Sequence, residues 1–266
     1  MRLFDALLAG LAGLMLTASP ALGEEIDVDL ELVLAVDVSR SMDPQEQALQ
    51  KEGYLAALQH PEVIAAIHSG FLGRIAVTYV EWAGPGLQRV IAPWSMVDGP
   101  DAAKDLAGRI AAQPVSFLRA TSISSALLFS AGLFDGNGFR STRQVIDVSG
   151  DGPNNMGTPV LDAREAVLAR GITINGLPII VNANYLGGYS IPDLDIYYED
   201  CVIGGPGAFL ITVSSMERFA EAVRRKLVLE IAGAEPRIAP AGMFGDRAPR
   251  IDCLIGEKLR RRWMDP

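Results

Sequence analysis

Basic residues, cysteines and histidines are scarce in this chain, and each scarcity excludes a class of function. The 266 residues include 23 Lys or Arg and 32 Asp or Glu, which gives a formal net charge of −9 at neutral pH. Nucleic acid is therefore not expected as a partner, because it binds proteins through clustered positive charge. The two cysteines and two histidines, His60 and His68, are too few and too badly spaced for a zinc site.

A long apolar run is also missing beyond the N-terminus. Residues 1–23 carry Arg2, an apolar core and small residues at their end, which is the pattern of a secretory signal peptide. Gly13 and Pro20 interrupt that core, and no later segment approaches the roughly 20 apolar residues of a membrane span. We expect cleavage near Gly23 and a periplasmic or secreted protein without an integral membrane span. The alternatives are a retained anchor and a lipoprotein, the second disfavoured because no cysteine lies near the cleavage point.

The cysteines at positions 201 and 253 bear on the C-terminal region. An even number of cysteines in an exported chain favours a disulfide between Cys201 and Cys253. Such a bond would tie residues 233–266, a tail rich in Pro, Gly and Arg, back onto the domain. The alternative is two separate buried thiols.

Segments typical of strands and helices alternate along the chain. Residues 32–36 are an apolar run of the kind found in a strand buried on both faces of a parallel sheet. Asp43 and Glu46 match the first and last positions of a capping box that opens a helix. Residues 74–82 and 87–94, joined by a Gly/Pro turn, predict an antiparallel hairpin. The predicted fold is α/β: a doubly wound, mainly parallel sheet with one antiparallel edge strand and helices on both faces.

The second half of the chain continues this pattern. Residues 143–149 and 172–180 predict two further strands, and residues 209–213 predict the last one. Ser214 and Glu217 match a capping box for a final amphipathic helix. The sequence has no internal repeat and gives no sign of a second core, so one domain is the simplest interpretation.

Side chains with oxygen atoms cluster where predicted strands end or helices begin. Asp37, Ser39 and Ser41 directly follow the first buried strand, Thr121 opens a helix in the middle of the chain, and Asp151 follows a later strand. In parallel sheets ligands bind at the carboxyl ends of the strands. Mg²⁺ prefers about six oxygen ligands and keeps several waters. The sequence therefore predicts a site for a hard divalent cation with one position open for an incoming ligand.

This arrangement resembles the metal-ion-dependent adhesion site, or MIDAS, of von Willebrand factor A domains. That site combines Asp-x-Ser-x-Ser after a buried first strand, a Thr that opens a later helix, and an Asp-Gly after a later strand. All three parts occur here in that order within residues 28–232. The resemblance implies that the hydroxyls contact Mg²⁺, or Mn²⁺ or Ca²⁺ in its place, and that the carboxylates do so directly or through water. These residues are Asp37, Ser39, Ser41, Thr121 and Asp151.

The resemblance also implies a function. In that family a carboxylate of a protein partner fills the open metal position, no catalysis is involved, and in some members the last helix of the domain moves on binding. The export signal and the tail resemble exported bacterial members, many of which have no assigned role. One position departs from the family pattern: Gly150 precedes Asp151 where a Thr is common. This departure bears on the geometry of the loop more than on the carboxylate.

Other functions compete with metal-dependent protein binding. A Mg²⁺-dependent hydrolase of phosphate esters would also place an Asp after the first strand. However, its second acid is expected where Ser39 stands, and neither histidine lies near a strand end. A scaffold with a vestigial metal site is the other alternative, with contacts made by the Tyr-rich residues 181–207. In that case the oxygen residues would only cap turns and helices. We expect a binding protein and not an enzyme.

Two charged residues near these positions are given other roles. Asp147 alternates with apolar residues inside a predicted strand, and we interpret it as a hydrogen-bonded structural group. Arg40 stands between the two serines and is expected to point outward, where it could face an acidic partner.

Overall fold

The computed structural model of the protein describes most of the chain and nothing of its first residues. The predicted signal peptide, residues 1–23, lies outside the described residues, as do residues 182–189 and 234–249. The parts described are residues 24–114, 116–181, 190–233 and 250–264. Within these ranges, no helix is both long and apolar enough to cross a lipid bilayer.

Strands and helices alternate as the sequence predicts. The strands are β1 (Ile26–Asp27), β2 (Glu31–Asp37), β3 (Ile75–Trp82), β4 (Gln88–Val97), β5 (Phe139–Arg140), β6 (Gln144–Gly150) and β7 (Thr173–Pro178). The helices are α1 (Pro44–Leu58), α2 (Pro61–His68), α3 (Pro100–Ala111), α4 (Ile123–Gly132), α5 (Val160–Leu168), α6 (Leu194–Tyr197), α7 (Phe219–Ala232) and α8 (Ile255–Met264).

A five-stranded sheet of order β4-β3-β2-β6-β7 forms the centre of the fold. Strand β4 is antiparallel to β3, and every other pairing in this sheet is parallel. Alternate side chains of β2 enter two cores: Leu32 and Leu34 pack with α1, α2, α3 and α7, whereas Val33 and Ala35 pack with α4, α5 and α6. The predicted fold class is confirmed. The short parallel pair β1 and β5 was not predicted, because two residues are too few to produce a pattern.

Helix α1 begins with the predicted capping box. One carboxylate oxygen of Asp43 accepts hydrogen bonds from the backbone nitrogens of Gln45 (2.7 Å) and Glu46 (2.8 Å). The Glu46 carboxylate accepts a bond from the Asp43 nitrogen in return (2.9 Å). These bonds satisfy backbone N–H groups that have no partner inside the helix, so they fix where α1 starts.

Residues 209–213 do not form the regular last strand that was predicted. They run beside β7 and make isolated bridges, Gly176 with Leu210 and Ile179 with Val213. The reason is Pro178: a continuous parallel ladder would need an N–H at that position to donate to the next segment, and proline has none. Of the backbone groups of Pro178, the carbonyl alone bonds to this segment, and it accepts a hydrogen bond from the nitrogen of Val213 (2.9 Å).

The predicted capping box of Ser214 and Glu217 is also wrong. A 3-10 turn, Met216–Arg218, precedes α7, and the side chain of Glu217 bonds to the hydroxyl of Ser215. Because the Glu217 carboxylate is bonded to Ser215, it does not accept the hydrogen bond from the backbone nitrogen of Ser214 that a capping box requires.

Helix α7 is held to the sheet by a buried charge network. The ammonium of Lys226 lies 2.9 Å from a carboxylate oxygen of Asp147 on β6 and also pairs with Glu230. Glu230 accepts a further bond from Asn175 on β7 (3.0 Å). Burial raises the pKa of Asp147, and burial together with the charge of Asp147 raises the pKa of Glu230 to about 7. Burial lowers the pKa of Lys226, but the two carboxylates outweigh it and the net shift is upward. Asp147 is therefore a structural group, as interpreted from the sequence.

Glu230→Gln is expected to remove part of the pH dependence of stability. The pKa of Glu230 is about 7 in the folded protein against an ordinary 4.5. The folded state therefore binds this proton more tightly, and stability rises as pH falls from 8 towards 5. Between pH 8 and pH 6 the rise from this group is about 1 kcal/mol. Asp147, Lys226 and Asn175 face Glu230 and are retained in the variant.

Urea unfolding at both pH values measures this difference. The exposed Glu221, on the same helix, provides the control variant Glu221→Gln, which should keep the pH dependence of the wild type. An identical pH dependence in wild type and Glu230→Gln would contradict the prediction.

Candidate metal centre

The last residue of β2 begins the site. Asp37 is fully buried, and its Oδ1 accepts a hydrogen bond from the backbone nitrogen of Ser39 (2.7 Å). Two buried glutamines of α1 hold the same loop from the side: Gln50 donates to the Asp37 carbonyl (2.9 Å) and Gln47 to the Ser39 carbonyl (2.9 Å). The loop is therefore bonded both to its own carboxylate and to the helix that follows it.

A chain of hydroxyls connects this loop to a distant part of the sequence. The hydroxyl oxygens of Ser39 and Ser41 are 2.7 Å apart, and the Ser41 hydroxyl donates to Asp151 Oδ1 (2.6 Å). The last contact joins residues 110 positions apart in sequence. The structure thus brings together the first loop and the carboxylate that follows β6.

Thr121 lies between the end of β3 and the loop after β6. Its backbone nitrogen donates to the side chain of Asn155 (3.1 Å), and its carbonyl accepts from the Asn155 nitrogen (2.9 Å). The nitrogen of Ser122, the N-cap of α4, donates to the carbonyl of Ala83 just after β3 (2.9 Å). Ala120, immediately before, has a φ of 67°. This conformation is unfavourable for a residue with a side chain, and such strain concentrates at functional sites.

The electrostatics of the site fit a divalent cation. Burial, and then the charge of Asp151, raise the pKa of Asp37 well above its ordinary value, and burial raises the pKa of Asp151 to about 6. Asp37 Oδ2 is buried and has no hydrogen-bond partner among the described residues. A cation between the two carboxylates would replace their repulsion by attraction and would satisfy this oxygen.

The donor set indicates which kind of cation fits. In the described part of the chain, no group of three or more His, Cys, Asp or Glu side chains is arranged to hold a metal. The candidate site therefore depends on two carboxylates and on hydroxyl groups. All of these are hard oxygen donors of the kind that Mg²⁺, Mn²⁺ and Ca²⁺ prefer.

The C-terminal segment holds the loop that carries Asp151 in place. The sequence analysis predicted Asp151 but not this contact between the segment and the loop. The disulfide between Cys201 and Cys253 is present, as predicted. Beyond it, Glu257 of α8 accepts a bond from the side chain of Asn154 (2.6 Å), whose own oxygen accepts from the Ser124 nitrogen of α4 (3.0 Å). The adjacent asparagines 154 and 155 after Asp151 were the visible signal, but the sequence did not indicate their partners.

Replacing both cysteines by serine is expected to destabilise the fold by about 2–4 kcal/mol. The disulfide closes a loop with a sequence separation of 52 residues. Without it the unfolded chain gains freedom, and α8 loses its covalent connection to the domain. Guanidinium unfolding measures the loss. Lys258→Ala removes only an exposed ion pair with Asp252 and is the control, with an expected change below about 1 kcal/mol. Equal effects of the two changes would contradict the bracing role.

Several solved structures share the fold of this chain. One is proximal thread matrix protein 1 from the mussel byssus, with a zinc-occupied MIDAS motif: 14% identity and a TM-score of 0.59 over 79% of this chain and 49% of that one. The pilus adhesin SpaC from Lactobacillus rhamnosus GG has 11% identity and a TM-score of 0.58 over 79% of this chain and 32% of that one. A von Willebrand factor type A protein from Catenulispora acidiphila has 16% identity and a TM-score of 0.52 over 77% of this chain and 43% of that one.

These likenesses concern the fold. The chain spans about half or less of the length of these three proteins. No curated protein matches the chain in sequence. A family model does match, over residues 27–235, and its description is "Protein of unknown function (DUF1194)". Since this match covers most of the chain, the protein belongs to the DUF1194 family, built on a fold like that of von Willebrand factor A domains.

Proposed function

We propose that the protein is an exported, metal-dependent binding module that engages an acidic group of a protein partner. A Mg²⁺ ion would be held by the hydroxyls of the first loop and of Thr121 and by the carboxylates of Asp37 and Asp151. The bound ion would supply a Lewis-acidic position for a partner carboxylate. The observation that carries the proposal is the chain Ser39–Ser41–Asp151, which assembles hard oxygen donors beside the buried Asp37 Oδ2, an atom without a hydrogen-bond partner in the described part of the chain.

Several observations favour binding over phosphate-ester hydrolysis. The position two residues after Asp37, where a phosphatase would place its general acid, is Ser39, whose backbone nitrogen binds Asp37 instead. Both histidines make structural contacts at the ends of α2. The ring of His60 caps the start of the helix, and the ring of His68, its last residue, bonds to the carbonyl of Asp98 (2.8 Å). Neither histidine is therefore positioned to activate a serine of the metal centre.

The fold neighbours and the N-terminus support the remaining parts of the proposal. One neighbour holds zinc in its MIDAS motif, and another is a pilus adhesin. Residues 1–23 have the pattern of a signal peptide, and a disulfide is typical of exported proteins. We therefore place the protein in the periplasm or outside the cell, where it would meet a protein ligand.

Asp37→Asn is expected to abolish stabilisation by metal. A ligand that binds only the folded state raises stability by RT ln(1 + [L]/Kd), which is about 2.7 kcal/mol at one hundred times Kd. The wild type should therefore melt at higher temperature in Mg²⁺ or Mn²⁺ than in chelator, and Asp37→Asn should melt at the same temperature in both. Because Asp37 is buried with a raised pKa, the neutral variant should remain folded without metal. A wild type that does not respond to either metal would refute the proposal.

Arg40→Glu is expected to weaken partner binding without weakening metal binding. Arg40 is exposed beside the metal loop, and its guanidinium carbon lies 5.3 Å from the centre of the Phe117 ring. A cation in this place would attract the acidic residues that surround a metal-binding carboxylate. In Mg²⁺, a labelled Glu-rich peptide should bind the wild type about fivefold more tightly than Arg40→Glu.

Three comparisons test this expectation. The Gln-rich analogue of the peptide should bind neither protein, chelator should abolish the difference between them, and the metal-induced melting shift should be no smaller in Arg40→Glu than in the wild type. Equal affinity of wild type and Arg40→Glu for the acidic peptide would show that Arg40 does not contribute to partner binding.

A further inference from the structure

A tyrosine outside the predicted ligand set borders the metal centre. Tyr198 opens a π-helical turn, Tyr198–Val202, and its side chain is fully buried. Its hydroxyl has no hydrogen-bond partner among the described residues. Buried tyrosine hydroxyls are normally hydrogen-bonded, because an unpaired one costs free energy. π-helical turns also occur frequently at functional sites. The position of this hydroxyl therefore calls for an explanation in terms of function.

Two glycines make room for the Tyr198 side chain. A Cβ at Gly176 of β7 would lie 2.8 Å from Tyr198 Cδ1, and a Cβ at Gly150 of β6 would lie 2.9 Å from the Tyr198 hydroxyl. Neither glycine has a positive φ, so the backbone conformation does not require glycine at either position. Glycine weakens a strand and marks places where another group approaches closely. The absence of side chains at Gly150 and Gly176 therefore allows Tyr198 to pack directly against these two strands.

Asp37 and Trp82 border the same space. The position that a Cβ of Gly150 would occupy is 3.0 Å from Asp37 Oδ2, so Oδ2 and the Tyr198 hydroxyl are at most 5.9 Å apart by the sum of the two distances. Trp82 Cζ2 lies 3.3 Å from this position, and the indole nitrogen, two bonds further, is also buried without a described partner. One water bonded to two oxygens bridges a separation of up to about 5.6 Å, since each bond is about 2.8 Å long, and this covers nearly all of the range below that limit.

We propose that Tyr198 is a positioning residue of the metal centre: through a water bound beside Gly150, its hydroxyl orients Asp37 Oδ2 towards the cation. This inference rests on the proposed function, because it requires that Asp37 takes part in metal binding. Asp37 Oδ2, the Tyr198 hydroxyl and the indole nitrogen of Trp82 are buried polar atoms of the kind that such a water would bridge. The hydroxyl of Tyr198 lies 2.9 Å from the position that a Cβ at residue 150 would occupy.

The chemical state of Tyr198 suits this role. Burial, and then the negative charge of Asp37, raise the pKa of Tyr198 well above its ordinary value. The phenol therefore keeps its proton and acts as a hydrogen-bond donor towards the carboxylate side of the site. Groups that orient a metal ligand in this way typically change metal affinity by about 10–100-fold when they are removed.

The test compares Tyr198→Phe with Tyr54→Phe in the oxidised, folded chain. Both changes remove a fully buried hydroxyl, but Tyr54 packs in the other core, against Tyr79 and Phe219. Calorimetric titration gives the Mn²⁺ affinity, and urea unfolding gives the metal-free stability. Tyr198→Phe should weaken Mn²⁺ binding about tenfold, with metal-free stability unchanged or raised. Tyr54→Phe should leave the Mn²⁺ affinity unchanged.

A second variant and a spectrum separate positioning from a structural role. In Gly150→Ala the added methyl group would lie 2.9 Å from the Tyr198 hydroxyl and 3.0 Å from Asp37 Oδ2, between the two groups, so Mn²⁺ binding should weaken although both side chains are retained. The electron paramagnetic resonance spectrum of bound Mn²⁺ should change in Tyr198→Phe and not in Tyr54→Phe. Wild-type affinity and an unchanged spectrum in Tyr198→Phe would overturn the assignment of Tyr198 and leave the proposed function standing. Failure of the wild type to bind Mn²⁺ would overturn both.

Discussion

The parallel pairing of β2 with β3 on one side and β6 on the other is the constraint on which the metal centre depends. Register places Asp37 beside Trp82 of β3 and Val36 beside Ser149 of β6, so the strands end together. The side chains of β2 are buried on both faces of the sheet, and the strand cannot shift without exposing them. A mainly apolar strand thus fixes the positions of Asp37 at its own end and of the polar groups that follow the neighbouring strands.

The features that could be predicted from the sequence are those decided by near neighbours or by a general rule of sheets. The capping box of Asp43 and Glu46 needs only four residues, and the convergence of Asp37 and Asp151 needs only parallel strands. Two features that the sequence did not reveal depend on distant residues. Pro178 decides that residues 209–213 form no regular strand, and the glycines of β6 and β7 decide where Tyr198 lies. No local pattern around residues 198 or 209 contains that information.

The loop after β6 is held by two other parts of the chain. Asn154 joins α4 to α8, and Asn155 joins the same loop to Thr121. Loops that bind ligands are often mobile, and ordering them on binding reduces affinity. Here the side chains of the candidate site are already connected before any ligand arrives. The disulfide at Cys253 belongs to this arrangement, because it fixes the segment from which α8 reaches the loop.

The buried network under α7 has a consequence for how binding could be signalled. Moving this helix by one turn, about 5.4 Å along its axis, would withdraw Lys226 from Asp147. An unpaired charge would then remain in the core, at a cost of about 3–5 kcal/mol. In some von Willebrand factor A domains the last helix moves on binding, but here the charges oppose such a shift. The buried charges therefore favour a single position of α7 against the sheet.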